Sequence, residues 1–272
     1  MKYIFIDIDG TLYSNKINSV PNSAYEAIKK TREKGNKVFL CTGRALAEAK
    51  LYLNLDIDGF VFSSGTCIYA ENKRIFDKPF DKESVNDLVN IFEENEVGYA
   101  LAGYAGSYTD AIGRKYVSYY FGANIKDEIE LNSVLQDNGL YGMDYRHQDD
   151  LITKICLYSD SLAKLDKVNK LLPKEYVFDV THKGENEYFG DVIQSNLNKF
   201  TGVKVILDYY GGKVEDTIAI GDSNNDYQMI KHCNIGVAMG NAFDTIKEIS
   251  DYVTTDILDD GIYNAFKKYD LL

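Results

Sequence analysis

Three short segments of the 272-residue chain concentrate side chains that can do chemistry. Asp7-Ile8-Asp9-Gly10-Thr11-Leu12 offers two carboxylates separated by one residue, with a glycine that lets the chain turn sharply. Where a strand has just ended, acids at that spacing can point into one small volume, which suits metal binding, proton transfer, or both. Thr42-Gly43-Arg44 supplies a hydroxyl and backbone N–H groups able to hold a phosphate. Gly221-Asp222-Ser223-Asn224-Asn225-Asp226 brings two further carboxylates, and Asn225 and Asp226 are suited to bracing a metal's outer shell. Lys199, directly after Asn198, is a cation that draws its meaning from these partners. If all four acids (Asp7, Asp9, Asp222, Asp226) ionise, one lysine leaves 1 − 4 = −3. Such a cluster repels itself and any phosphate, so it calls for a divalent cation. The donors are all oxygens, with no Cys or His set beside them, which selects Mg²⁺.

Position gives these segments their meaning, and position depends on the surrounding elements. Tyr3–Ile6, Val38–Cys41 and Thr217–Ile220 are short apolar runs, as expected of strands buried on both faces of a parallel sheet. Each is followed at once by one of the three segments, which is where open α/β sheets place ligands. Phe60–Phe62, Ile235–Met239 and Tyr252–Thr254 read as further strands. Helices are expected at Pro21–Lys34, closed by Gly35, after Gly43, and up to Gly211-Gly212, where Val203, Ile206, Leu207 and Tyr210 share a face. Asp56-Ile57-Asp58-Gly59 repeats the first tetrapeptide but precedes a strand, so it is expected to be a solvated turn at the opposite rim. A calcium loop is excluded for Asp7–Leu12, because its glycine is fourth and a strand comes first.

The middle of the chain changes character. Asp81 is placed to cap a helix whose Val85, Leu88, Val89 and Phe92 line one face. Closely spaced strands follow at Tyr99–Tyr104, Ser107–Ala111, Ile152–Tyr158, Tyr176–Val180 and Tyr188–Ile193, with a helix at Ser161–Leu172. Short turns between strands imply antiparallel pairing. The expected organisation is an α/β core of residues 1–81 and 190–272 with an inserted α+β cap of residues 82–189. The cap carries 11 of the 22 tyrosines, whose expected role is packing.

Composition excludes several classes. With 30 Lys+Arg against 42 Asp+Glu, the net charge is −12, which argues against nucleic acid or an anionic membrane as a general partner. No segment approaches the roughly 18 unbroken apolar residues of a membrane helix. The N-terminal apolar run is cut off by Asp7, too early for a signal peptide. Cys41, Cys67, Cys156 and Cys233 are scattered and read as reduced thiols, so the expected location is cytoplasmic. His147, His182 and His232 are isolated and are expected to pack or face solvent.

The four motifs, in this order along the whole chain, resemble the haloacid dehalogenase-like phosphohydrolase superfamily. Asp7–Leu12 is similar to its motif I, Thr42 to motif II, Lys199 to motif III and Gly221–Asp226 to motif IV. An insertion between Ser63-Ser64-Gly65 and Lys199 resembles the C2-type cap of the Cof-like subfamily, type IIB. Two positions depart from the family: Ser64 stands where Asn is usual, and Phe200 where Gly is frequent. The resemblance implies a Rossmann-like parallel-sheet core and a phosphatase of small phosphorylated metabolites, such as sugar phosphates, acting as a monomer or homodimer. It implies that Asp7 attacks phosphorus to form an aspartyl-phosphate, and that Asp9 serves as general acid and base. Mg²⁺ would be held by Asp7, the Asp9 carbonyl and Asp222, with Asp226 orienting, while Thr42, Gly43, Lys199 and Asn225 bind the phosphoryl group. Arg44 would hold its loop or touch substrate. The cap would close over the site and choose the leaving group. A sugar phosphomutase and a phosphoryl-accepting signalling module are the alternatives; the large insert and Asp9 count against the module.

Overall fold

The computed structural model describes every residue except 123–124, 147–148 and 185; for Leu51 and residues 119–122 it describes the backbone alone. His147 therefore lies outside the described residues. In chain order the strands are β1 (Tyr3–Asp7), β2 (Lys37–Cys41), β3 (Gly59–Phe62), β4 (Cys67–Ala70), β5 (Lys73–Asp77), β6 (Gly98–Gly103) and β7 (Ser107–Thr109). They continue as β8 (Leu140–Gly142), β9 (Ile152–Ser159), β10 (Tyr176–Lys183), β11 (Tyr188–Gln194), β12 (Thr217–Gly221), β13 (Ile235–Ala238) and β14 (Tyr252–Val253). The helices are α1 (Asn22–Glu33), α2 (Lys82–Glu94), α3 (Ala111–Gly122), α4 (Glu128–Asp137), α5 (Leu162–Leu171), α6 (Lys199–Tyr210), α7 (Tyr227–His232), α8 (Asp244–Lys247) and α9 (Gly261–Lys268). Among the described residues no helix is long and apolar enough to cross a membrane.

The chain folds into two compact units. The first, Met1–Gly43, Asn54–Asp77 and Leu197–Leu272, holds a sheet in the order β14-β13-β12-β1-β2-β3-β4-β5. All pairs from β14 to β3 are parallel, and β3-β4-β5 is an antiparallel extension. β1 is central because every residue of Tyr-Ile-Phe-Ile-Asp is buried. Its Ile4, Phe5 and Ile6 are fully covered, each contributing about 1.5–3 kcal/mol of apolar transfer free energy. The parallel register sets Ile6 between Leu40 of β2 and Ile220 of β12, so β1, β2 and β12 finish at one rim. The helix α6 buries Val203, Ile206 and Leu207, and ends at Gly211 in the left-handed conformation.

The repeated tetrapeptide at residues 56–59 departs from the solvated turn expected of it. Asp56 is exposed, but Asp58 is an anchor: its Oδ2 accepts from Val38 N–H at 2.8 Å and from Arg32 Nε at 3.1 Å. A carboxylate at the start of β3 is thus held by a helix cation and a neighbouring strand's amide, which offsets its partial desolvation.

The second unit is Arg44–Leu53 with Lys78–Asn196. Its sheet runs β10-β11-β9-β6-β7-β8, antiparallel except for β7-β8, where α3 and α4 supply the crossover. The unit is larger than residues 82–189. β11 continues to Gln194 opposite Tyr176, and Phe80 N–H bonds the Ile152 carbonyl at 2.8 Å. Arg44–Leu53 joins it through an ion cluster: Lys154, 7% exposed, reaches Glu48 at 3.1 Å and Asp191 at 3.8 Å. This segment forms 3₁₀ turns over Leu46–Tyr52 in place of the expected amphipathic helix. The Glu48 carboxylate is turned back to the Ala45 N–H and to Lys154. One side of the sheet packs Phe80, Val85, Leu88 and Phe92 against Leu101, Ile155 and Leu157. Tyrosines are built into this packing, with Tyr176 stacked on Phe80 and Tyr108 against Tyr141.

Candidate active site

The expected site residues Asp7, Asp222, Asn225, Asp226 and Lys199 come together in the first unit. Asp7, the last residue of β1, is only 3% exposed. Beyond it the chain curls around one carbonyl: Ile8 O accepts from Leu12 N–H at 2.9 Å and Tyr13 N–H at 2.7 Å. Buried Ile8 and Leu12 pin this curl from below. Gly10 has φ +89°, and a Cβ there would run into the Asp222 carboxylate, whose Cγ would lie 2.8 Å away. Glycine is therefore demanded twice, by conformation and by space. Thr11 Oγ1 donates to Asp222 Oδ1 at 3.0 Å, tying the first acidic loop to the last.

Lys199 opens α6, whose start is fixed by a reciprocal cap: Asn198 Oδ1 accepts from Thr201 N–H, and Thr201 Oγ1 from Asn198 N–H, both at 3.0 Å. A lysine at a helix start is ordinarily solvated; this one is fully buried. Its Nζ donates to Asp7 Oδ1 at 2.5 Å, Asp226 Oδ1 at 2.6 Å and Asn225 Oδ1 at 2.9 Å. Asn225 Oδ1 also accepts from Ser223 Oγ at 3.0 Å, so its amide oxygen is committed and its Nδ2 is left as the donor. The three donor slots of the ammonium are filled by three oxygens.

Asp226 is a brace. It is fully buried, its Oδ2 accepts from the N–H groups of Asp222 and Ser223 at 3.0 and 3.1 Å, and its Oδ1 takes Lys199. Asp7 is different: its Oδ2 is buried and has no hydrogen-bond partner. An ionised oxygen in that state has bonding capacity left for an electrophile, either a metal ion or phosphorus.

Electrostatics point the same way. Burial and then Asp226 push the Asp7 carboxyl well above the usual carboxylate range, against the pull of Lys199. Burial, again followed by Asp226, raises Asp222 to about 6. Burial opposes the charge on Lys199, but Asp226 and Asp7 outweigh it and raise its pKa. The protein's own cation is thus insufficient for the acids around it. Oxygen atoms of Asp7, Asp222 and Asp226 lie within 4.8 Å of one another. An all-oxygen set, one buried carboxylate oxygen without a hydrogen-bond partner and an excess of negative charge fit a hard divalent cation such as Mg²⁺.

Asp9, half-buried and bridged to Tyr13, is close enough that its charge also raises Asp7. Thr42 is buried after β2, its N–H on the Val61 carbonyl at 2.8 Å and its carbonyl accepting from Ser64 N–H at 3.0 Å. Gly43 ends the first of the three stretches that make up this unit. Ser64 holds φ +52°, a left-handed conformation that Asn adopts more readily than Ser. Phe200 packs against His232 with ring centroids 5.2 Å apart. Arg44 belongs to the second unit, where it donates to the Glu48 carbonyl at 3.3 Å and lies 5.8 Å from the Tyr52 ring centroid. His182 stacks on Phe189, so neither described histidine contributes to the acid cluster. All four cysteines are free thiols. Sequence reasoning gave no role to Thr11 or Ser223, although both lie inside the quoted motifs; hydroxyl partners only become visible once the loops are placed.

A family profile described as haloacid dehalogenase-like hydrolase matches residues 4–266. "Putative phosphatase YkrA" of Bacillus subtilis is 29% identical over 279 residues, covering 100% of this chain and 98% of that protein. A phosphoglycolate phosphatase of Methanobrevibacter smithii is 28% identical, covering 98% and 97%. Among solved structures, the HAD subclass IIB sugar phosphatase BT4131 superposes with a TM-score of 0.79 at 25% identity, over the full length of both chains. With the acid cluster in place and the profile spanning nearly the whole sequence, the chain belongs to the haloacid dehalogenase-like hydrolase family.

Proposed function

We propose that this hydrolase is a Mg²⁺-dependent phosphatase of small phosphomonoesters, sugar phosphates among them, working through an aspartyl-phosphate on Asp7. The observation that carries the reading is the pairing of a fully buried Lys199 with one oxygen of Asp7 while the other, also buried, has no hydrogen-bond partner. Lys199 orients Asp7 and favours its ionised form, Mg²⁺ would supply the rest of the neutralisation, and the oxygen without a hydrogen-bond partner is left to form the bond to phosphorus. As that bond forms, the bond from phosphorus to the ester oxygen breaks and Asp9 gives its proton to the departing alkoxide. Asp9 then takes a proton from water as the water oxygen attacks phosphorus, and the acyl-phosphate bond breaks to return Asp7. Thr42, the Gly43 N–H, Lys199 and the Asn225 amide would hold the phosphoryl oxygens. Asp7, Asp9 through its main-chain carbonyl, and Asp222 would hold Mg²⁺, braced by Asp226; the ion would supply charge neutralisation at the phosphoryl group. The sugar-phosphate class is supported by the named subclass IIB neighbour. The test is phosphate release across a panel of phosphorylated metabolites, with Mg²⁺ and with chelator, for wild type and Asp7→Asn. Release by the wild type with metal alone is expected. Chelator-resistant turnover, or full activity of Asp7→Asn, overturns the reading.

A further inference from the structure

The segment after β13 has no part in the chemistry proposed above, yet it bonds to both acid-bearing loops. Met239 N–H donates to the Gly221 carbonyl at 3.0 Å, and Phe243 N–H to the Asp222 carbonyl at 2.9 Å. Between them, Asn241 Nδ2 donates to the Gly10 carbonyl at 2.8 Å. The other end of the amide, Oδ1, accepts from Ile257 N–H at 3.1 Å. That second bond dictates which way the amide faces: its oxygen is engaged by an N–H, so its nitrogen must face the Gly10 carbonyl. Gly10 is then held at both of its polar atoms, since its N–H already donates to the Tyr13 carbonyl at 3.0 Å. Gly10 lies between Asp9 and Thr11, its missing Cβ leaves room for the Asp222 carboxylate, and Thr11 bonds that same carboxylate. Any drift of the Gly10 peptide would displace the Asp9 backbone and the Thr11 hydroxyl together, relative to Asp222.

We propose that Asn241 is a positioning residue whose side-chain amide sets the Asp9-Gly10-Thr11 peptide against Asp222, and thereby both the affinity for the divalent cation and the rate of phosphoryl transfer. This rests on the phosphatase reading. Asn241 is exposed, so truncating it removes little packing and leaves the fold intact. What the amide supplies is a donor to the Gly10 carbonyl, oriented by the bond its oxygen accepts from Ile257 N–H.

The test compares wild type with Asn241→Ala and the near-isosteric Asn241→Leu, neither of which can bond the Gly10 carbonyl. Three quantities are measured: steady-state kinetics, Mg²⁺ binding by calorimetry on the protein without substrate, and melting temperature in chelator. Losing the oriented amide, with its bonds to the Gly10 carbonyl and the Ile257 N–H, predicts a fall in kcat of about ten-fold and a weakening of Mg²⁺ binding of about five-fold in both variants. KM should stay within about two-fold, because the phosphate-binding groups are untouched. Melting in chelator should move by less than about 3 °C, the shift expected of under 1 kcal/mol in a chain of this size. Unchanged kcat and unchanged Mg²⁺ affinity overturn the proposal. So does a melting drop that accounts for the whole activity loss, with kcat per folded molecule preserved. If wild type binds Mg²⁺ but hydrolyses nothing, the phosphatase reading fails, and the ratio of Mg²⁺ affinities still decides the role of Asn241.

Discussion

Asp222 provides a pH signature of the metal-free site. Burial and the charge of Asp226 raise its carboxyl from 3.8 to about 6. A group whose pKa is higher in the folded state binds its proton more tightly there. Its contribution to stability is therefore complete below the unfolded pKa and is lost as pH rises through the folded value. Two pKa units correspond to about 3 kcal/mol at 1.36 kcal/mol per unit. In chelator, the metal-free protein should lose most of this, about 2.4 kcal/mol of unfolding free energy, through Asp222 alone between pH 4 and pH 7. Other groups titrate over the same range, so the informative quantity is a difference. Asn at 222 imitates the protonated carboxyl at every pH. The perturbation is Asp222→Asn, and the assay is urea unfolding in chelator at several pH values from 4 to 7.5. The stability of the variant minus that of wild type should be small at pH 4, about 0.5 kcal/mol, and grow by about 2.4 kcal/mol by pH 7. With excess Mg²⁺ the gap should close or reverse, because the ion binds the folded wild type and not the unfolded chain. A gap that stays flat with pH in chelator would refute the reasoning, since it would mean that Asp222 is neither desolvated nor crowded by Asp226.

Three substitutions extend the account. Lys199→Met leaves Asp7 and Asp226 buried without their cation, so we expect a loss of about 3–5 kcal/mol at pH 7, read by urea unfolding, with partial recovery toward acid pH as the Asp7 carboxyl takes up a proton. Gly10→Ala should abolish phosphate release and cost at least about 1–2 kcal/mol, because its φ of +89° is hostile to a side chain and the Asp222 carboxylate fills the space. Ser64→Asn should raise stability by about 0.5–1 kcal/mol, read as a higher melting temperature, since Asn tolerates φ +52° better than Ser.

The parts of the fold that could be read from sequence share a physical cause. β1, β2 and β12 are buried on both faces, so each appears as an unbroken apolar run, and the polar residue that ends the run is the one delivered to the rim. The β4-β5 hairpin was not legible. Its turn residues Glu71 and Asn72 both have positive φ, but Glu is an uncommon choice for such a turn and gives no Asn-Gly signal. The helices α3 and α4 were missed because their packing is thin: Val117, Leu131 and Leu135 with Leu140 make a small satellite cluster, and few apolar positions repeat along either helix. The role of Asp58 was hidden because an Asp-Ile-Asp-Gly run before a strand resembles a turn, and its partner Arg32 lies 26 residues earlier. In the site, residue types and order were visible, but burial was not. Nothing local distinguishes Lys199 from a solvated lysine; its three partners come from 26, 27 and 192 residues away. Asn241 escaped for the same reason, since its side chain bonds the Gly10 carbonyl and the Ile257 N–H, both distant in sequence.

The most direct test of the central claim asks where the phosphoryl group goes. Turnover of an active phosphomonoester would be quenched within milliseconds, and the protein reduced with borohydride, which converts an aspartyl-phosphate to homoserine, and then mapped by mass spectrometry. The account predicts homoserine at position 7, formed with Mg²⁺ and absent in chelator. Steady turnover under the same conditions with Asp7 unmodified, or with the label at another residue, would contradict it.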